Sequence, residues 1–219
     1  MTEANTGPIV EGFSLGDFQT NCFLIRPDAA STRAWIADVG FDPGPLLDRA
    51  AAFEIEAIVL THCHTDHIAG LFEARKRLGP VPIFVHKAEA AWLTDPMLNL
   101  SAAMGLSITG PEPDRLLTGN ENMDLCGQVW KVIETPGHSP GGITLYHQPS
   151  HQAIVGDALF AGSIGRTDFP GSNFETLASS IREKLYTLPD ETIVYPGHGP
   201  VTTIGVEKAS NPFVRPLDG

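Results

Sequence analysis

The chain has 219 residues, 42% apolar and 18% charged, and its 14 basic against 26 acidic side chains give a formal net charge of −12. That balance argues against a general nucleic-acid binder, which needs basic clusters that release counterions; the densest cluster, Arg75-Lys76-Arg77, reads as a solvated helix face. No apolar run approaches the ~18 residues of a membrane span, Met1–Val10 carries no export pattern and the three cysteines at 22, 63 and 126 are scattered, so we expect one cytoplasmic domain, residues 1–219, with reduced thiols.

Short apolar runs at Ile9–Phe13, Cys22–Ile25 and Ala34–Ala37, bounded by turn residues, predict antiparallel strands. Pro45 opens a helix whose Leu46, Leu47, Ala50, Ala51 and Phe53 share one face, and a buried strand follows over Ile55–Leu60. Ile68, Leu71, Phe72 and Leu78 repeat at helical spacing until Gly79-Pro80 stops them, after which Val81–Val85 resumes as strand. Residues 87–118 read as short helical pieces, around 88–93 and 97–106, broken by Pro96, Gly110, Pro111 and Pro113. Such an insert either borders a substrate site or is a plain surface excursion. Strands return at Gln128–Glu134, Ile143–His147 and Ala153–Val155. Ser172-Asn173-Phe174-Glu175 has the pattern of a capping box ahead of a helix with Leu177, Ala178, Ile181, Leu185 and Leu188 on one stripe, and Thr192–Tyr195 is the final predicted strand.

The sequence His62-Cys63-His64-Thr65-Asp66-His67 arrives directly after a strand that ends at Leu60. In extended backbone His62 and His64 project to one side and Cys63 to the other, which gives Cys63 a structural role. The chain then turns into a helix, so Asp66 and His67 approach from a second direction. Two nitrogens from one side, with an oxygen and a nitrogen from the other, suit two adjacent cations rather than one tetrahedral centre. Three later loops, each after a strand, offer matching donors: Pro136-Gly137-His138, Val155-Gly156-Asp157 and Pro196-Gly197-His198. The repeated Pro-Gly-His hints at two related halves. His86, His147 and His151 lack such company and read as structural. Asp38 either hydrogen-bonds a metal-ligating histidine or starts a turn, and Arg166 either takes a substrate carboxylate bidentately or pairs with Asp168.

The ordered set Thr61-His62-Cys63-His64-Thr65-Asp66-His67, His138, Asp157 and His198 resembles the metallo-β-lactamase superfamily over nearly the whole chain. Within it, Gly162-Ser163-Ile164-Gly165-Arg166-Thr167-Asp168-Phe169-Pro170, Tyr195-Pro196-Gly197-His198-Gly199 and Asn211-Pro212-Phe213 are similar to the short, glyoxalase II-like hydrolases. The resemblance implies an α/β fold, a four-layer αβ/βα sandwich of two mixed sheets with helices outside and the metal loops at one edge. It assigns a first metal to His62, His64 and His138, a second to Asp66, His67 and His198, and a bridging role to Asp157. The implied cofactors are two divalent ions, zinc first, with iron or manganese as alternatives suited to the same donors.

The implied activity is hydrolysis of S-lactoylglutathione or a related small acyl thioester by a metal-bridging hydroxide, with Asp66 orienting the nucleophile. The chemistry is consistent, since metal-bound water titrates toward ~7 and a thiol of pKa about 8.5 leaves without a strong general acid. Residue 219 follows His198 closely, so the C-terminal helical domain by which long glyoxalase II enzymes hold glutathione is expected to be missing, which leaves the carrier open. Two other readings compete. One is a persulfide dioxygenase with one iron at the first site, which shares the fold and a Gly-Arg-Thr-Asp segment like 165–168 here. The other is a metal-stabilised binding module without turnover. Asp157 and the missing export pattern disfavour a β-lactamase, and the lack of a basic patch disfavours an RNA-processing nuclease.

Overall fold

Alternate residues of the early strands enter different cores: Cys22, Leu24, Ala34 and Ile36 belong to one apolar cluster, and Phe23, Ile25, Trp35 and Ala37 to another. A period of two with both faces buried is what a strand shows when layers cover it on each side. In the computed structural model, which describes residues 7–216, the first sheet has the order β1 (Ile9–Leu15), β2 (Thr20–Arg26), β3 (Arg33–Ala37), β4 (Glu54–Val59), β5 (Ile83–His86) and β6 (Arg115–Leu117). The first three strands run antiparallel, as predicted, and the rest are parallel to β3. Helices α1 (Gly44–Ala50), α2 (Thr65–Ile68) and α3 (Leu71–Leu78) follow β3 and β4. Residues 1–6, part of the stretch read for an export pattern, and 217–219 lie outside the described residues.

The second sheet is built from β7 (Asn122–Leu125), β8 (Gln128–Glu134), β9 (Ile143–His147) and β10 (Gln152–Gly156), a small hairpin of β11 (Leu159–Phe160) and β12 (Ser163–Ile164) standing apart from it. After α4 (Phe174–Ser180) come β13 (Ile193–Pro196), β14 (Thr202–Thr203) and α5 (Ile204–Ser210), giving the sheet order β14-β13-β10-β9-β8-β7. Only β10 and β13 pair in parallel. The inner faces meet through Trp35 and Trp130, whose ring centroids are 5.1 Å apart with planes at 77°, the edge-to-face geometry that aromatic quadrupoles favour. Leu46, Leu47, Leu71 and Ala74 cover the outside of the first sheet, and Leu177, Ala178 and Ile181 cover the outside of the second. The four layers implied by the family resemblance are therefore present.

Several local expectations are corrected. The helix predicted through Ile68–Leu78 is broken at Ala69–Gly70 into α2 and α3, and Phe72 lies 56% exposed although it shares the apolar spacing. The cap of α4 is Asn173, whose side chain accepts from Thr176 N at 2.9 Å, and not Ser172. The insert carries 3₁₀ turns at Lys87–Leu93 and Ala102–Met104, and β6, β7, β11, β12, β14 and α5 had no sequence signal strong enough to predict them.

Candidate metal centre

Strands β8, β10 and β13 run in the same direction, so their carboxyl ends open on one edge of the sandwich, where β4 of the facing sheet also ends. Each strand hands the chain to a loop or short helix carrying donors: His62 and His64 after β4, Asp66 and His67 in α2, His138 after β8, Asp157 after β10 and His198 after β13. All seven residues converge. Their donor atoms fall into three overlapping groups, His62–His64–His138, His62–His67–Asp157 and Asp66–His67–His198, within each of which the atoms lie within 4.8 Å of one another. Glycine permits two of these approaches. At Gly137, with φ of +130°, any Cβ would overlap the backbone of Leu177, and at Gly197 it would overlap Asp157 Oδ1 and lie 2.8 Å from His67 Cε1.

Most of the imidazoles are fixed by their outer nitrogen. His67 Nδ1 donates to Asp38 Oδ2 at 2.8 Å, His138 Nδ1 to Arg166 O at 2.8 Å and His198 Nδ1 to Phe18 O at 3.1 Å, while His62 Nδ1 lies 3.2 Å from Thr61 Oγ1. Those bonds keep a proton on the outer nitrogen and turn Nε2 toward the cluster, the atom that would bind an ion once it gives up any proton of its own. His64 is reversed, with Nδ1 2.8 Å from His138 Nε2. Asp38 also accepts from Thr61 N at 2.8 Å and Thr61 Oγ1 at 2.7 Å, so of the two roles open to it in the sequence the structure selects support of a histidine.

Burial pushes His62 well below its ordinary pKa and His64 down to about 3, which keeps both as neutral donors. Burial alone would also lower His67 and His198. At His67 the carboxylates of Asp66, Asp157 and Asp38 outweigh it and raise the group well above its ordinary value, and Asp157 and Asp66 raise His198 to about 9. In return, against the opposing effect of burial, the imidazoles hold Asp66 at about 2 and Asp157 well below the carboxylate range. The carboxylates thus draw positive charge to this point. His62 Nε2 is buried without a hydrogen-bond partner, and His67 Nε2 and Asp157 Oδ1, also buried, make a long contact with each other at 3.4 Å. An unsatisfied buried polar atom costs about 1–3 kcal/mol, and one such nitrogen beside a long imidazole–carboxylate contact fits a site made for divalent cations.

Three supporting roles, those of Glu89, Ser172 and Thr20, had no reading in the sequence. Glu89, fully buried, accepts from Cys63 N at 2.6 Å and Gly141 N at 2.7 Å, tying the His62–His67 loop to the His138 loop; its one signal was a lone acid within the apolar run 88–93. Ser172 Oγ donates to His138 O at 2.7 Å, and Thr20 Oγ1 donates to Asp66 Oδ2 at 2.8 Å. Cys63 is buried in the apolar core behind the loop, where burial pushes its thiol well up, so its role is structural. Arg166 makes the local pair, donating to Asp168 through Nε and Nη2 at 2.9 Å each. A cavity of about 630 Å³ opens from the cluster, with Asp66, His138, Asp157 and His198 in its wall.

A family model described as the metallo-beta-lactamase superfamily matches residues 15–198. A hydroxyacylglutathione hydrolase, GloC, from Haemophilus influenzae is 38% identical over 202 residues, covering 90% of this chain and 94% of that protein. Among solved structures, the BLEG-1 B3 metallo-beta-lactamase superposes with a TM-score of 0.88 at 39% identity, covering 94% of this chain and 99% of the other. TTHA1623 in a di-iron-bound form gives 0.82 at 36% identity, covering 94% and 100%.

Proposed function

The chain belongs to the metallo-beta-lactamase superfamily, and from that premise we propose that it is a binuclear metal-dependent thioester hydrolase of the glyoxalase II type, acting on S-lactoylglutathione or a related acyl thioester. The observation that carries this reading is the convergence of five imidazoles and two carboxylates with buried, unpartnered donor atoms at the mouth of a cavity. His62, His64 and His138 would hold one divalent ion and Asp66, His67 and His198 a second, with Asp157 reaching both. Bound there, zinc, iron or manganese would supply Lewis acidity, activating water near neutral pH and polarising the carbonyl.

The remaining work falls to the chain. Thr61, Asp38 and the Arg166 and Phe18 carbonyls hold the His62, His67, His138 and His198 imidazoles with Nε2 turned inward. Thr20 and His198 fix the Asp66 carboxylate, with His198 Nε2 3.2 Å from Oδ2, and its low pKa keeps it ionised as a hydrogen-bond acceptor that would orient an attacking water. No strong general acid is needed, because a thiol of pKa about 8.5 departs as thiolate. The three cysteines are buried and free, consistent with a reducing, cytoplasmic setting.

The test is a hydrolysis panel on protein of measured metal content. We expect thioester turnover that is lost on chelation and in a folded Asp157→Ala variant. Oxygen uptake with glutathione persulfide on one iron per chain would replace this reading by the dioxygenase. Hydrolysis of a β-lactam in preference to every thioester would replace it by the activity named for the BLEG-1 structure. No turnover with intact partner binding would leave a binding module.

A further inference from the structure

We propose that the cavity beside the cluster selects thioesters by an extended apolar acyl group, with the carrier making no ionic contact inside it; the proposal rests on the thioesterase reading and names its substrate class. The cavity, about 630 Å³, is within the ~300–1,000 Å³ range of small-molecule sites. The apolar part of its wall includes Phe18, Met97, Leu100, Met104, Phe160 and Ile164. Met97 is 73% exposed and Phe18 47% exposed, so the apolar lining continues to the mouth, where it meets the exposed Arg166. A contiguous apolar surface leading from solvent to a reactive centre is the form of a binding channel for an apolar group.

Apart from the metal donors, the polar side chains in the same walls are those of Thr65, Asn99, Ser163 and Arg166, and the Thr65 hydroxyl is buried. Arg166 is the one Lys or Arg lining the cavity among the described residues, and its guanidinium is engaged twice, by the Asp168 carboxylate and by the face of Phe169 at 4.2 Å. Ionic pairing with the two carboxylates of glutathione would require cationic side chains that the lining does not offer. Asn99, also in the wall, spends its amide on Trp92 O, Ile108 O and Ser101 N, so it is not free for a substrate hydroxyl. A lactoyl group would occupy only a small part of such a space, whereas an alkanoyl chain would lie against the methionines and aromatic rings.

The experiment keeps the carrier constant and varies the acyl group: acetyl-, lactoyl-, butanoyl-, hexanoyl- and octanoylglutathione on metal-loaded protein. At about fourfold per buried methylene, kcat/KM rises with chain length until the cavity is filled, and hexanoyl exceeds lactoyl. Met104→Asn and Ile164→Asn lower the octanoyl-to-acetyl ratio. Calorimetry with the thioethers S-octyl- and S-methylglutathione reads the same preference without turnover, the octyl compound binding at least tenfold tighter with a negative heat-capacity change. Hydrolysis that is flat or falling with chain length, or equal binding of the two thioethers, overturns the proposal and leaves the thioesterase reading intact. If no thioester is hydrolysed, that reading fails, and the thioether ratio alone decides the ligand class of the cavity.

Discussion

Replacing Asp38 by asparagine changes one atom and tests how the cluster is held. Asp38 is buried and sits at a φ of +59°, a backbone that asparagine adopts readily, so the local fold is kept. Its Oδ1 accepts from Thr61 N, and its Oδ2 accepts from both Thr61 Oγ1 and His67 Nδ1 at 2.7 and 2.8 Å. In the variant, an NH₂ group in place of Oδ2 donates to His67 Nδ1, so the neutral ring that would bind an ion is held with its proton on Nε2, the atom facing the cluster. The ion-free fold loses about 1–3 kcal/mol, the range for a charge-assisted bond in a buried site. The affinity for metal falls about 10- to 100-fold, equivalent to roughly 1.4–2.7 kcal/mol, as is usual when the support of a ligating histidine is removed. Competition with a chelator measures the affinity, and thermal unfolding of the ion-free protein measures the fold. An affinity within twofold of the parent would refute the tautomer argument.

Gly197→Ala forces a methyl group into Asp157 Oδ1 and against His67 Cε1, and we expect a loss of about 1–3 kcal/mol in stability together with at least a hundredfold loss of turnover, read by denaturant titration and kinetics. Trp35→Ala empties half of the central aromatic pair and costs about 3–5 kcal/mol, whereas Phe72→Ser stays within about 0.5 kcal/mol; equal effects in urea melts would contradict the layer assignment. In ion-free protein, His198 binds its proton more tightly folded than unfolded. Its contribution to stability is whole below pH ~6.5 and is lost as pH rises through about 9, so the melting temperature falls across that window and stays flatter in the metal-loaded protein. A metal-free melting curve unchanged from pH 6 to 9.5 would contradict this.

Most strands and the donor string were legible because both rest on short-range rules, whereas the sandwich was implied only by the family resemblance of that string with His138, Asp157 and His198. The apolar residues at 22–25 and 34–37 carry their two-sided burial in sequence, and the loop at 62–67 packs four donors into six positions. What was not legible depends on distant partners. Phe72 has helical spacing, but no layer covers that face of α3. Ser172 gave way to Asn173 as cap because its hydroxyl is used by His138 O, 34 positions away. Glu89 could not be recognised as a clamp until Cys63 and Gly141 were brought to either side of it. Arg166 had two equivalent readings, and a carboxylate two residues on was close enough to take it.

Anomalous scattering from a crystal of the metal-loaded protein tests the central claim most directly. The account predicts two peaks per chain, one coordinated by His62, His64 and His138, the other by Asp66, His67 and His198, with Asp157 within reach of both. A single peak, or metal bound away from these seven side chains, would contradict it.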